Sequence, residues 1–187
     1  MNRDLLRKFL LAIVGLTVAF FLYFYRKPQI TLRSNERDII RSPAFGHIMD
    51  VTYQDDNTIF IAIFLSPFDI HYQLHPCNAV IESVQYDPTG QFNLAYDLNK
   101  SRENEKCITG YTTRFGTLFV YQIAGFLVRR VKTYVHPGDV AISGDYLGMI
   151  QFGSRVDIII PSADRFTLRV KKGDYMNGSD TIIGSYE

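Results

Sequence analysis

The sequence predicts a mainly β protein, a quasi-symmetric β-barrel or sandwich, preceded by one N-terminal transmembrane helix. Three observations carry this. A long charge-free run stands near the start. After it, short stretches rich in β-branched and aromatic residues alternate with turn signals. Two sequence units also recur at offsets of 33 and 35 residues, as paired hairpins do.

The chain has 187 residues, 47% hydrophobic and 21% charged, with a net charge of +1. Those fractions fit a globular chain and exclude global disorder. A charge so near zero removes the electrostatic case for binding nucleic acid. Two cysteines, Cys77 and Cys107, are too few for a disulfide framework or a four-thiolate zinc site. The aromatic residues are 14 Phe and 12 Tyr without a Trp, and they are consistent with core packing.

The first element is Phe9–Tyr25, FLLAIVGLTVAFFLYFY, a run with no charge. As a helix it covers roughly 26 Å, close to the core of a thin bilayer. Arg3, Arg7 and Lys8 precede it, and Arg26 and Lys27 follow. A cleaved signal would end in a small-x-small site, whereas this run ends in bulky FFLYFYRKP, with Tyr23 and Tyr25 suited to an interface. A signal peptide and a buried core helix are the alternatives. Basic residues on both sides leave the orientation open. The expected anchor, residues 1–27, holds five basic residues and one acidic, and the expected domain, 28–187, holds 15 and 18. Positive charge is thus concentrated where anionic lipid would attract it.

The strands expected next are Ile59–Leu65, Leu118–Ala124, Val131–Val135, Arg155–Ile160 and Phe166–Val170. Asp87-Pro88-Thr89-Gly90, His136-Pro137-Gly138-Asp139 and Lys172-Gly173-Asp174 read as turns between them. A short polar helix is expected around Asn99–Lys106. Val135-His-Pro-Gly-Asp139 echoes Val170-Lys-Lys-Gly-Asp174, and Ser42–Ile48 echoes His75–Ile81. The first unit resembles the hairpin of lipoyl- and biotinyl-type barrels, where glycine takes a positive φ and aspartate caps the turn. No lysine sits at a hairpin tip as in a carrier domain.

Four histidines are the candidate titrating groups: His47, His71, His75 and His136. A strand-end histidine such as His71 or His75 is more commonly a satisfied structural group. His136, in a Pro-Gly turn, reads as an exposed loop residue. The His71-x3-His75 spacing lacks a third ligand nearby, so no metal site is expected.

Gly148-Met-Ile-Gln-Phe-Gly-Ser-Arg-Val-Asp157 admits a plain reading, a strand-edge turn with a capping hydroxyl. Its neighbours point elsewhere. Phe64-Leu-Ser-Pro-Phe-Asp-Ile-His71, Glu103-Asn-Glu105, Tyr121-Gln-Ile-Ala-Gly-Phe-Leu-Val-Arg-Arg130 and Val135–Asp139 accompany it in a fixed order. Together these blocks resemble the short, β-rich branch of the phosphatidylserine decarboxylase family, which also includes archaetidylserine decarboxylases. Lys106 stands where that family's ENER turn has arginine.

The resemblance implies a membrane-anchored enzyme that makes its own cofactor. Ser154 would attack the carbonyl of Gly153 with His71 as its base, and the chain would be cut between 153 and 154, the two fragments staying associated. A pyruvoyl group derived from Ser154 would then form a Schiff base with phosphatidylserine or a related serine phospholipid, releasing CO2 and phosphatidylethanolamine. His71, or secondarily His75, would donate the proton. Arg155 or Arg129 would hold the phosphate. One departure stands out: the family's S-P-A-D-G reads Ser42-Pro-Ala-Phe-Gly46, with Phe45 where an aspartate would orient the histidine. Asp50, Asp69 or His47 are the substitutes on offer. The competing expectation is a non-processing β-barrel that binds lipid or a partner without catalysis.

Overall fold

The structure, a computed structural model, describes residues 3–30, 38–91, 93–126, 130–151 and 154–187. Gly153 and Arg129 lie outside the described residues.

Among the described residues, helix α1 (Arg3–Phe24) is followed by fourteen strands. They are β1 (Ile39–Arg41), β2 (Phe45–Tyr53), β3 (Ile59–Leu65), β4 (Tyr72–Leu74), β5 (Ala79–Asp87), β6 (Lys106–Thr113) and β7 (Gly116–Ile123). Then come β8 (Val131–Thr133), β9 (Val140–Ala141), β10 (Tyr146–Ile150), β11 (Ser154–Ile160), β12 (Phe166–Leu168), β13 (Tyr175–Asn177) and β14 (Ile182–Tyr186). At 22 residues α1 is about 33 Å long, sufficient in length and composition to cross a membrane.

Eight strands form one sheet in the order β13-β2-β3-β11-β7-β6-β5-β9, which curls into a half-barrel. That order reads symmetrically about its centre, with β2–β3 matching β5–β6. The internal echoes are the source of this symmetry. Gly173 N–H donates to the Ile48 carbonyl and Gly138 N–H to that of Ile81, while Ile48 and Ile81 donate in return to Asp174 and Asp139. Both turns place glycine at φ near +92°, a conformation that other residues rarely adopt. In each, the aspartate Oδ2 accepts the backbone N–H three residues earlier, that of His136 or Lys171. The register shifts at Ile48/Asp50 and Ile81/Ser83 fall at equivalent places too.

Alternation fills the concave side. Ile59, Ile61, Ile63 and Leu65 of β3 pack with Leu118 and Val120 of β7 and with Val156, Ile158 and Ile160 of β11, all fully buried. Two three-stranded sheets, β1-β14-β12 and β4-β10-β8, complete the domain.

The polar helix expected at 99–106 is corrected to one 3-10 turn, Lys100–Glu103, before β6 begins at Lys106. Its physical reason is Asn104. That side chain donates to the carbonyls of Asn93 and Ala124 and accepts from Asn93 N–H, which holds the backbone extended.

Candidate active site

At one end of the large sheet, residues 66–71 join β3 to β4, and β10 ends at Ile150 four positions before β11 begins at Ser154. Ser154 opens β11 opposite Leu65, the last residue of β3. His71 precedes β4, and its carbonyl accepts the Ile150 N–H at 3.1 Å, at the end of β10. Strand pairing thus brings to one junction two residues that are 83 positions apart.

Both are fully buried. The Ser154 Oγ and the His71 Nε2 have no hydrogen-bond partner among the described residues. A buried polar atom left without a partner costs about 1–3 kcal/mol. The two are complementary, a hydroxyl donor and an imidazole acceptor.

The tautomer follows from the other ring nitrogen. His71 Nδ1 lies 3.0 Å from the Asp69 carbonyl, which only accepts, so Nδ1 carries the proton and Nε2 holds the lone pair. Burial holds this histidine neutral by pushing its pKa down to about 4, against a smaller upward pull from Asp69. Its backbone is braced as well. Gln73 Nε2 donates to the His71 carbonyl at 2.8 Å, and Gln122 Nε2 donates to Gln73 Oε1 at 2.8 Å.

The Asp69 carboxylate is engaged by other partners. Its Oδ2 accepts the Ser66 N–H and its Oδ1 the Tyr175 hydroxyl, which closes the Ser66–Asp69 turn. The orienting group is therefore a main-chain carbonyl. Phe45, at the position of the family's aspartate, is a buried packing residue whose ring lies on Gly178; a Cβ there would sit 2.3 Å from it.

The last turn of α1 joins the site. Phe24 is fully buried with its ring centroid 4.3 Å from that of His71, in a helix otherwise open on its surface. Arg26 Nη2 donates to the Phe68 carbonyl at 2.8 Å.

The remaining sequence candidates are dispersed. His75 lies four extended residues beyond His71, about 13 Å along the chain, with Nδ1 3.0 Å from the Tyr111 hydroxyl. Its pKa is also lowered to about 4 by burial. His47 is exposed on β2, edge-on to Tyr175 at 5.0 Å. Asp50 accepts from the Thr52 hydroxyl. Arg155 is fully buried, and strand alternation puts it on the face of β11 opposite Ser154. Its guanidinium donates to Asp157 Oδ2 (2.8 Å), the Leu98 carbonyl and Ser101 Oγ. On that face Asp157 lines a 330 Å³ pocket with Phe60, Arg102, Lys106 and Tyr121, and burial raises its carboxyl to about 6.

Sequence reading missed Phe24, Gln73 and Gln122 as supports. Gln122 carried a signal, a polar residue in step with Leu118 and Val120 on the core face of an apolar strand. Phe24 carried none, since nothing distinguishes it within an apolar run.

The buried histidines make stability depend on pH. Between about pH 4 and 6.5 the unfolded chain binds protons at His71 and His75 that the folded chain does not, so stability falls as pH falls through that window. From pH 7 to pH 5 each removes roughly 2 kcal/mol, and Asp157, shifted the opposite way, restores about 1 kcal/mol. Denaturant titration of the full chain in detergent is expected to show a net loss of about 3 kcal/mol. A flat profile would contradict the buried, neutral state of both rings.

The sequence model of the phosphatidylserine decarboxylase family matches residues 17–184. The chain is similar to a phosphatidylserine decarboxylase proenzyme of Carboxydothermus hydrogenoformans, with 36% identity over 178 residues, 92% of this chain and 82% of the relative. It is 34% identical over 174 residues to the proenzyme of that name from Chlorobium phaeobacteroides, covering 90% and 80% of the two chains. With the one from Salinibacter ruber the identity is 34% over 182 residues, covering 93% and 78%.

Proposed function

The chain belongs to the phosphatidylserine decarboxylase family, and from that premise we propose that it is a membrane-anchored, self-processing decarboxylase of phosphatidylserine or a related serine phospholipid. Residues 1–27 serve as the anchor and 28–187 as the decarboxylase domain. The observation that carries this reading is a pair of buried atoms at one junction, Ser154 Oγ and His71 Nε2, neither with a partner among the described residues.

Processing uses the chain's own groups. His71 Nε2 takes the Ser154 hydroxyl proton as Oγ attacks the Gly153 carbonyl carbon. The Gly153–Ser154 C–N bond breaks, leaving an ester to Oγ and an amine on residue 154. Loss of the α-proton and of the Cβ–Oγ bond frees a carboxylate on Gly153 and leaves dehydroalanine at 154. Water then displaces its nitrogen as ammonia, giving the pyruvoyl group at the new N-terminus. Ser154 begins a strand hydrogen-bonded on both sides of β11, to β3 and β7, so the two fragments stay associated after the cut.

The pyruvoyl group would supply an electrophilic carbonyl to which the substrate amine can join, a sink for the electron pair left when CO2 departs. His71 stays beside residue 154, its Nδ1–H held by the Asp69 carbonyl, and moves the proton to the product carbon. His75 and His47 are held by other partners and take at most auxiliary parts. Arg155 braces the start of β11 through Asp157 and Ser101, which leaves Arg129 as the proposed phosphate ligand.

Intact-mass analysis of the purified protein tests the reading. The expected result is two fragments of 153 and 34 residues, the smaller one blocked by a carbonyl-bearing N-terminus. A single uncut chain would favour the other reading, a non-processing β-barrel that binds lipid.

A further inference from the structure

We propose that the Ser66–Asp69 turn is a second membrane contact of this protein, inserting the Phe68 ring into the lipid surface that α1 enters. The inference rests on the reading of α1 as an anchor. Phe68 is 67% exposed, in a connection whose ends, Leu65 and His71, are fully buried. The turn closes without it: Asp69 N–H donates to the Ser66 carbonyl and Ser66 N–H to Asp69 Oδ2. The large apolar ring takes no part in those hydrogen bonds and stands mostly exposed at the tip.

The placement of the ring names its partner. Arg26, two residues past the end of α1, donates to the Phe68 carbonyl at 2.8 Å, so the tip is fixed at the level of the helix end. The helix is about 33 Å long, so its end reaches the boundary between hydrocarbon and head groups. Tyr23 and Tyr25 are half-exposed there, as is Tyr175, whose hydroxyl binds Asp69. Aromatic rings beside a basic residue at that depth are the composition of a membrane interface, and the partner is a bilayer bearing anionic lipid. Seated so, the turn holds the His71 junction close to the leaflet.

The chain contains no tryptophan, which makes single substitutions clean reporters. Three full-length variants, Leu16→Trp, Phe68→Trp and Tyr53→Trp, are reconstituted into phosphatidylcholine–phosphatidylglycerol vesicles with or without brominated acyl chains. Tyr53 ends β2 about 26 Å along the strand from Phe45. Bromolipid is expected to quench Leu16→Trp and Phe68→Trp, the latter with blue-shifted emission, and to leave Tyr53→Trp unchanged. Quenching of Leu16→Trp alone would overturn the second contact while leaving the anchor intact. Quenching of Phe68→Trp alone would overturn the anchor and keep the contact. A blue shift of Phe68→Trp without quenching would mean that protein, such as a second copy, covers the ring, and would overturn the proposal. Loss of quenching at both positions would overturn both readings.

Discussion

Ser154→Ala is expected to remain one 187-residue chain and to release no CO2 from phosphatidylserine, whereas the native chain is expected to separate into 153- and 34-residue fragments. The substitution removes one buried oxygen that has no partner among the described residues, so no hydrogen bond to them is lost. Deleting an orphaned polar group is neutral or stabilising, and the folded state persists. The loss is chemical: an alanine has no nucleophile to attack the Gly153 carbonyl and no Cβ–Oγ bond to eliminate. Intact mass, a melting curve and trapped carbon dioxide read the three parts of the prediction. A variant that melts like the native chain but still decarboxylates would show that the carbonyl cofactor does not come from this residue.

His71→Ala and His71→Asn are both expected to slow self-cleavage by about 10²–10⁴-fold, the usual contribution of a positioned general base. Ala opens a cavity under Phe24 and costs about 1–3 kcal/mol of stability, so it cannot separate folding from chemistry alone. Asn can do so. Its amide reproduces the donation from Nδ1 to the Asp69 carbonyl, yet it has no basic nitrogen. Normal cleavage by a folded His71→Asn chain would remove the histidine from the mechanism. The same geometry sets a contrast at Asp69. Were its carboxylate the orienting group of a serine–histidine–aspartate triad, Asp69→Asn would cost about 10⁴-fold. Because the orienter is a carbonyl, cleavage in Asp69→Asn is expected to stay within a few-fold of native. The pH profile of cleavage carries the same signature. Burial lowers the His71 pKa to about 4, so the base stays unprotonated and competent at pH 5.5, where an ordinary histidine would be mostly charged.

Phe24 covers one side of the buried His71 ring, so the helix proposed as the anchor would also set the dielectric around the proposed base. On that reading, tethering and acid–base behaviour are coupled through one aromatic contact.

Much was legible in the residues themselves. Charge-free length marked α1, and β-branched runs marked β3, β7 and β11 because both signals are local and periodic. The 33- and 35-residue echoes foretold the two-fold order of the large sheet, since each glycine–aspartate turn encodes its own hydrogen bonds. The Gly-Ser pair and His71 were visible through the motifs around them.

What sequence left open depended on contacts between distant segments. It offered Asp50, Asp69 and His47 as carboxylate or imidazole substitutes for the aspartate replaced by Phe45. Only the folded turn revealed that the main chain of Asp69 does the orienting, because a carbonyl is common to every residue type and leaves no mark in a sequence. Likewise the sequence presented Arg155 as a phosphate ligand, and strand alternation then turned it to the face opposite Ser154, bound to Asp157. The sequence by itself determined the apolar helix, the main β-runs and their symmetry, and it pointed to Ser154 and His71 as the proposed reacting pair. The tertiary structure decided how that pair is oriented, buried and kept neutral, since burial and orientation come from Phe24, Asp69 and Ile150, which only folding brings around His71.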